Sequence, residues 1–173
     1  LDASFAKGDA KATPFGVGTK FIPGIRGQGV EVSVPDEKSP APSIQFKSNG
    51  NLRPVEGAVA FWIKPLNWEG GDGQSHFFLY LNPKKFTSYM YMYYPSDVWI
   101  YQHDGKNTTV CGGQWGKGVM PKGQWRFLSG NWRKDEIKIY VDGVLFGKKT
   151  EGVMNYDEFS DWFGPGMYAK QVT

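Results

Sequence analysis

The chain has 173 residues, enough to bury one sizeable core, so we expect residues 1–173 to form a single domain. An aromatic fraction of 16%, with 23 glycines and 11 prolines, disfavours long helices and favours short strands joined by sharp turns. The formal charge is +3 with both signs interspersed, which excludes the basic stripe typical of nucleic-acid binding. No apolar run approaches the roughly 18 residues of a membrane span, so we expect no membrane insertion.

Residues 1–89 contain four strand patterns. Apolar and polar residues alternate over 30–34, and a short strand is expected at 44–46, whereas residues 1–29 show only turn-forming residues around scattered aromatics. Residues 57–65 alternate so that Val59, Phe61 and Ile63 share one face and Trp62 the other. In the apolar run 76–81, the same period predicts that Phe77, Leu79 and Leu81 point inward. It sends Phe78 and Tyr80 outward.

The second half begins with a predicted hairpin, 89–94 with 98–103, in which Trp99, Tyr101 and His103 oppose Val98, Ile100 and Gln102. Residues 104–123 have little pattern and are expected to be loop around one weak strand. Strands are then predicted at 125–132, 137–141 and 144–146, forming a meander.

Asp142-Gly143 is the strongest turn signal of this meander. Both central residues of a type I′ turn need positive φ, which Gly adopts freely and Asp tolerates. Alternation over 137–141 assigns Ile137, Ile139 and Val141 to the core and Tyr140 to the outer surface. The segment 150–173 is expected to be irregular, with one helical turn at most. About ten short strands predict an all-β fold, a two-sheet antiparallel jelly-roll sandwich.

Four fragments in order carry a family resemblance: GIRGQGVEV at 24–32, GAVAFWIKP at 57–65, GQWRFLSGNW at 123–132 and IKIYVDG at 137–143. Together they resemble the concanavalin A-like lectin/glucanase superfamily, and within it the laminin-G-like domains. The resemblance implies a jelly roll that is usually extracellular or at the cell surface, often recognises carbohydrate or mediates adhesion, and sometimes holds a structural calcium.

Two features depart from this family. The closing strand that usually carries Ile-Asp-Glu is not found before Thr173, so we expect it beyond the given residues. Arg126 and Phe127 stand where some members have histidines, so no role of those histidines transfers. Because the chain begins at Leu1, we expect a mature or excised piece of a larger secreted or surface protein.

Catalytic and metal chemistry find little support. The Glu-x-Asp-x-x-Glu spacing of the superfamily's hydrolases does not occur, so we expect no enzyme. The acidic pairs Asp135-Glu136 and Asp157-Glu158 are expected to be solvated, and Cys111 to be a small buried apolar residue. The weaker alternative is a lyase-like grouping begun by Tyr101 and His103. No cofactor is required, and a structural calcium would take its oxygens from Asp2, Asp9 or the terminal acids.

The aromatic excess indicates a binding site. Sugar rings present apolar C–H faces that stack on aromatic rings while their hydroxyls bond to polar tips. Outward alternation and Gly-rich loops select the candidate ligand-binding residues Trp68, Tyr80, Tyr94, Trp99, Tyr101, His103 and Trp115, several of them on a concave sheet face. The competing interpretation is that these aromatics fill the core or shield sheet edges.

Two functions follow from the sequence. The first is a non-catalytic, lectin-like module of a larger secreted or surface protein that binds a polysaccharide or other glycan. The alternative is a structural or adhesive module whose aromatics bury against other surface proteins.

Overall fold

The computed structural model describes residues 12–15, 19–32, 43–94, 97–114, 118 and 120–165. This part of the chain forms thirteen strands and no helix. The strands are β1 (Ala12–Phe15), β2 (Thr19–Pro23), β3 (Gln28–Val32), β4 (Ser43–Lys47), β5 (Gly57–Ile63), β6 (His76–Tyr80), β7 (Thr87–Tyr93), β8 (Asp97–His103), β9 (Thr108–Gln114), β10 (Arg126–Arg133), β11 (Glu136–Val141), β12 (Val144–Lys149) and β13 (Trp162–Phe163). None of the described residues belongs to a membrane-spanning helix.

The first layer joins two antiparallel sheets, ordered β6-β7-β8-β9 and β1-β4-β13. Gly164, directly after β13, connects them because it pairs with Tyr80 of β6. The Tyr80 N–H donates to the Gly164 carbonyl at 2.9 Å, and the Gly164 N–H donates back at 3.0 Å. The layer therefore runs from β1 to β9 through this pair.

The second layer is the antiparallel sheet β12-β11-β10-β5, which packs against the first layer with β11 and β12 facing β9. The core between them takes Met90, Ile100 and Cys111 from the first layer and Leu128 and Ile139 from the second, all buried. This face-to-face packing of antiparallel sheets confirms the predicted all-β sandwich. Strands β2 and β3 form a separate hairpin.

Gly130 of β10 allows the layers to approach closely. A Cβ placed on this residue would lie 3.0 Å from Ile100 Cδ1 and 3.1 Å from Met90 Sδ. Both distances are tighter than ordinary van der Waals contact, so a larger side chain here would push the layers apart.

The predicted meander is confirmed as β10-β11-β12. Asp142 and Gly143 have φ of 50° and 80°, as a type I′ turn requires. Ile137, Ile139 and Val141 are buried, whereas Tyr140 lies half-buried on the outer face. Strand β12 extends three residues beyond the predicted 144–146, to Lys149.

The predicted orientation of two β6 residues is wrong. Phe78 is buried at 4% exposure, whereas Phe77 is half-buried and stacks on the outer side of the sheet. A β-bulge shifts the β6–β7 register between Phe77 and Leu79 and reverses the alternation there. Beyond the bulge Tyr80 points outward, as predicted.

Three further expectations need correction. Strands β1 and β2 lie in the part of residues 1–29 for which none was expected, and β3 begins at Gln28 instead of residue 30. The weak strand expected in 104–123 is the seven-residue β9, paired with β8 along its whole length. Glu136 is buried instead of solvated. Asp2, Asp9 and the segment 166–173 lie outside the described residues.

Candidate functional site

The outer side of the β6-β7-β8-β9 sheet carries a continuous group of rings, here called the aromatic face. It consists of Phe77, Tyr80, Tyr89, Tyr91, Tyr93, Trp99, Tyr101 and His103. Tyr91 of β7 is directly opposite both Phe77 and Trp99 in register, and Tyr89 is opposite both Tyr80 and Tyr101. Residues opposite each other in a sheet share a face, so the strand register itself assembles this surface.

Alternation in β7 separates the aromatic face from the core. Ser88, Met90 and Met92 are fully buried against the second layer, whereas Tyr89 and Tyr93 between and after them point outward. Strand β8 repeats the pattern with Val98, Ile100 and Gln102 buried inward. The side-chain period of two produces one apolar and one aromatic side from the same strands.

The rings stand beside one another: Phe77 stacks on Tyr91 with ring centroids 5.3 Å apart and planes 13° apart, and two further pairs are stacked. Tyr93 stacks on Trp99 with ring centroids 4.7 Å apart and planes 15° apart. Tyr89 stacks on Tyr101 at 4.7 Å and 14°. Tyr91 connects the pairs edge-on, at 5.8 Å from Trp99 and 6.1 Å from Tyr101. Because neighbouring rings cover each other's faces, the interior of the row is less open than its end, and Tyr91 is only 5% exposed.

Tyr93 differs from the interior rings because 40% of its surface is exposed. Trp99 braces one face of the ring, and Tyr94, which is 53% exposed, contacts it edge-on at 6.2 Å. This end of the aromatic face therefore offers the most open aromatic surface.

The surroundings fix the pKa of Tyr91 and the hydrogen bonding of His103 on the aromatic face. Burial, reinforced by the neighbouring Tyr89 and Tyr101, raises the pKa of Tyr91 well above its usual value, so its hydroxyl stays neutral. The ring of His103 lies with Nδ1 2.9 Å from the Asn107 carbonyl oxygen. Since a carbonyl can only accept, Nδ1 donates this hydrogen bond, and Nε2 is the ring nitrogen that remains for another partner.

Asp97 begins β8 directly opposite Tyr93 and is 6% exposed. Its Oδ1 atom is buried and has no hydrogen-bond partner among the residues that the structure describes. Burial raises the pKa of this carboxyl. A buried acceptor without a partner is costly, so this position calls for an explanation beyond packing.

The structure brings together five of the seven residues selected from the sequence. Tyr80, Trp99, Tyr101 and His103 lie on the aromatic face, and Tyr94 lies at its end. Trp115 lies outside the described residues. Their role in binding stays a prediction.

Trp68 does not join the aromatic face. Its ring stacks on His76 at 3.9 Å and 11°, and it packs against the buried core. His76 is 2% exposed, with Nε2 3.0 Å from Asp72 Oδ2. Burial lowers the pKa of His76, partly opposed by Asp72. Trp68 therefore packs its own loop onto the core, apart from the aromatic face, and its role in binding stays a prediction.

Sequence reasoning missed Phe77, Tyr89, Tyr91 and Tyr93 as members of the aromatic face. The last three were visible as Tyr-Met-Tyr-Met-Tyr over 89–93, an alternation that predicts one aromatic side. Phe77 could not be assigned because a bulge has no reliable signal in this segment.

Reactive and metal-binding groups are sparse in the described part of the chain. No group of three or more His, Cys, Asp or Glu side chains lies together there. Burial raises the pKa of Cys111 to about 11, and its thiol donates to the Ile137 carbonyl at 3.4 Å. Asp157 and Glu158 are exposed, as predicted, and pair with Lys85 and Lys84.

Three solved structures are similar in fold at low identity. Domain 4 of AbnA, a GH43 extracellular arabinanase from Geobacillus stearothermophilus, in complex with arabinotriose, shares 16% identity at a TM-score of 0.66, covering 89% of this chain and 72% of that one. The binding domain of botulinum neurotoxin DC in complex with SialylT shares 11% identity at a TM-score of 0.67, covering 90% of this chain and 39% of that one. Carbohydrate binding module CBM66 from Bacillus subtilis shares 11% identity at a TM-score of 0.50, covering 88% of this chain and 91% of that one.

The botulinum neurotoxin binding domains are longer, so this chain spans 38–39% of their length. The comparison with curated proteins gives no match. A laminin-G-type family model, described as the concanavalin A-like lectin/glucanases superfamily, matches residues 38–165, which is most of the chain. This match extends from β4 to the end of β13 and includes every strand of the aromatic face. The chain belongs to the concanavalin A-like lectin/glucanase superfamily as a laminin-G-like jelly-roll domain.

Proposed function

We propose that this protein is a non-catalytic, carbohydrate-binding module that holds a glycan on the aromatic face. The observation that carries the proposal is the row of rings with polar tips, which ends in the open ring of Tyr93. The similar structures include a domain in complex with arabinotriose and a carbohydrate binding module, which supports a glycan as the ligand class.

A sugar ring would stack on Tyr93 because this ring combines exposure with bracing by Trp99. Bracing matters because a ring already fixed in place loses little conformational freedom when a ligand binds. Tyr94 adds apolar surface beside it.

Side chains at the edges of the aromatic face would form hydrogen bonds with the hydroxyl groups of the glycan. The hydroxyls of Tyr93 and Tyr94, which are 40% and 53% exposed, can donate or accept, and the Nε2 atom of His103 can bond to a sugar hydroxyl. Asp97 lies opposite Tyr93, and an ordered water beside its buried Oδ1 atom would supply the missing hydrogen bond and relay it toward a bound sugar. Apolar faces and polar tips together are the combination that saccharides require.

The setting that accompanies this function is a larger secreted or cell-surface protein, with the domain acting extracellularly. A structural calcium is not needed for the proposed contacts, because all of them use rings, hydroxyls, one imidazole and one carboxylate.

Glycan-array screening of the purified domain tests the proposal. We expect binding to a restricted set of glycans, including arabinan-type or sialylated structures if the likeness extends to ligand. The structural or adhesive alternative predicts that no glycan binds and that light scattering after size-exclusion chromatography shows self-association. If both results were obtained, the structural or adhesive function would replace the proposed one.

A further inference from the structure

A second groove crosses the outer side of the other layer, formed by β5, β10 and β11. Its volume is about 450 Å³, and its walls include Glu56, Ala58, Asn131, Arg133, Lys138 and Tyr140. The aromatic face belongs to the first layer, so the two surfaces are built on different sheets.

Strand register explains the shape of this groove. Ala58, Asn131, Lys138 and Lys148 follow one another across β5, β10, β11 and β12 as direct partners. Ala58 is exposed and short, so it leaves space above the sheet, whereas the two lysines stand higher at the other end. Asn131 and Tyr140 contribute an amide and a hydroxyl.

Glu136 organises the cationic end. Its side chain is 8% exposed and accepts from three cations: Arg133 Nε at 2.8 Å, Lys138 Nζ at 2.8 Å and Lys148 Nζ at 2.9 Å. Hydrogen bonds from Lys138 and Lys148 lower the pKa of Glu136 to about 2, so it remains a carboxylate. A single buried anion thus fixes three long side chains in one place.

The cluster keeps unused binding capacity. The three cations and Glu136 together have a net charge of +2, and Glu56 on the groove wall lowers the net charge of the groove to +1. Arg133 uses only Nε toward Glu136 and its side chain is 66% exposed, which leaves its terminal nitrogens available for an oxyanion. Each lysine ammonium has three donors.

We propose that this groove is a second binding site, which takes an acidic sugar unit through its carboxylate or sulfate group. The anionic group would lie against Arg133, Lys138 and Lys148, while Asn131 and Tyr140 bond to the sugar hydroxyls. This inference rests on the groove and its charges and not on the aromatic face.

Isothermal titration at low salt tests the site with three polymers: polygalacturonate, dextran sulfate and neutral dextran. We expect an acidic polymer to bind and neutral dextran not to bind. The two acidic polymers distinguish a carboxylate from a sulfate preference. Raising the salt concentration should weaken binding, because an exposed charge contact is screened.

The test variant is Arg133→Gln/Lys148→Gln, which keeps Lys138 to pair Glu136. Its affinity should fall about tenfold or more, since charge-assisted hydrogen bonds are lost. The control Lys106→Gln/Lys122→Gln removes the same charge from exposed positions outside the groove lining and should change affinity less than about twofold. Ala58→Phe, which fills the groove without removing charge, should also abolish binding.

Three results would overturn this proposal. One is that neither acidic polymer binds better than neutral dextran. Another is that the charge variant behaves like its control. The third is that Tyr93→Ala abolishes acidic-polymer binding while Ala58→Phe leaves it intact, which would move the site to the aromatic face.

Discussion

Gln102 should be a main determinant of stability, although it is polar and lies in the core. It is fully buried on β8, and its amide holds the backbone of Met154 twice. Nε2 donates to the Met154 carbonyl at 2.8 Å, and Oε1 accepts from the Met154 N–H at 3.0 Å. The substitution Gln102→Leu keeps a side chain of similar size but removes the amide, so the N–H and carbonyl of Met154 both lose their partner.

The size of the effect follows from these two groups. An orphaned buried hydrogen-bonding group costs about 1–3 kcal/mol, and Met154 is only partly buried, so we expect about 2–4 kcal/mol in total. Unfolding entropy is about 2.1 cal/mol/K per residue, or roughly 0.36 kcal/mol/K for this chain. The melting temperature should therefore fall by about 6–11 °C.

Urea unfolding and differential scanning calorimetry measure this loss. Gln28→Leu, at an exposed position of β3, is the matched control and should change the free energy of unfolding by less than about 0.5 kcal/mol. If Gln102→Leu were as stable as wild type, Gln102 would not be holding the 152–156 segment, and the reasoning would be refuted.

Three further predictions concern packing, acid and the cysteine. Gly57→Ala should destabilise by about 1–3 kcal/mol in urea, because its Cβ would lie 2.5 Å from Trp132 Cζ2; an unchanged midpoint would contradict this contact. The pKa of Glu136 falls from 4.5 to about 2 on folding, so the stability that it contributes is present above pH 4.5 and is lost toward pH 2. In Glu136→Gln the free energy of unfolding should therefore change less between pH 4.5 and pH 2 than in wild type, and an equal change would show that Glu136 does not cause it. With its pKa raised to about 11, Cys111 should resist iodoacetamide at pH 8 until urea unfolds the protein, and rapid native labelling would show that it is accessible.

Period-two alternation predicted most of the fold. Ile137, Ile139 and Val141 are buried and Trp99 and Tyr101 lie outward, because each strand must place one side against the other layer. The Asp-Gly turn was equally readable, since few residues adopt its backbone geometry.

The bulge in β6 limited the same reasoning at Phe77 and Phe78. One additional residue reverses the direction of the side chains, and both candidates are phenylalanine, so composition could not reveal the change. Glu136 was misassigned for a different reason. Its carboxylate pairs with Lys138 and Lys148, and Lys148 lies in the part of β12 beyond the predicted end at residue 146.

A polar row inside the sandwich also escaped prediction. Ser88, Gln102 and Thr109 are direct partners across β7, β8 and β9, and all three are buried. They bond respectively to the Tyr156 hydroxyl, Met154 and the Gly152 carbonyl. The partners lie at positions 152, 154 and 156, two residues apart. The three side chains therefore bond to this irregular segment at the spacing at which a neighbouring strand would bond to it through its backbone. Sequence alone shows three inward polar residues without their partners.

Tyr93 and Trp99 differ in exposure on the aromatic face. Sequence reasoning selected Trp99 as a candidate ligand-binding residue and did not select Tyr93. In the structure Tyr93 covers one face of Trp99, so Tyr93 offers the more open ring and Trp99 supports it.

The proposed glycan site is tested most directly by isothermal titration with a glycan that the wild-type domain binds. The proteins compared are wild type, Tyr93→Ala and Trp62→Ala. Trp62 is the matched control, because it is 44% exposed on the other layer. Loss of one stacking ring is worth about 1–2 kcal/mol, so Tyr93→Ala should bind about five- to thirtyfold more weakly. Trp62→Ala should bind as wild type. If Tyr93→Ala bound normally while remaining folded, the aromatic face would not be the glycan site.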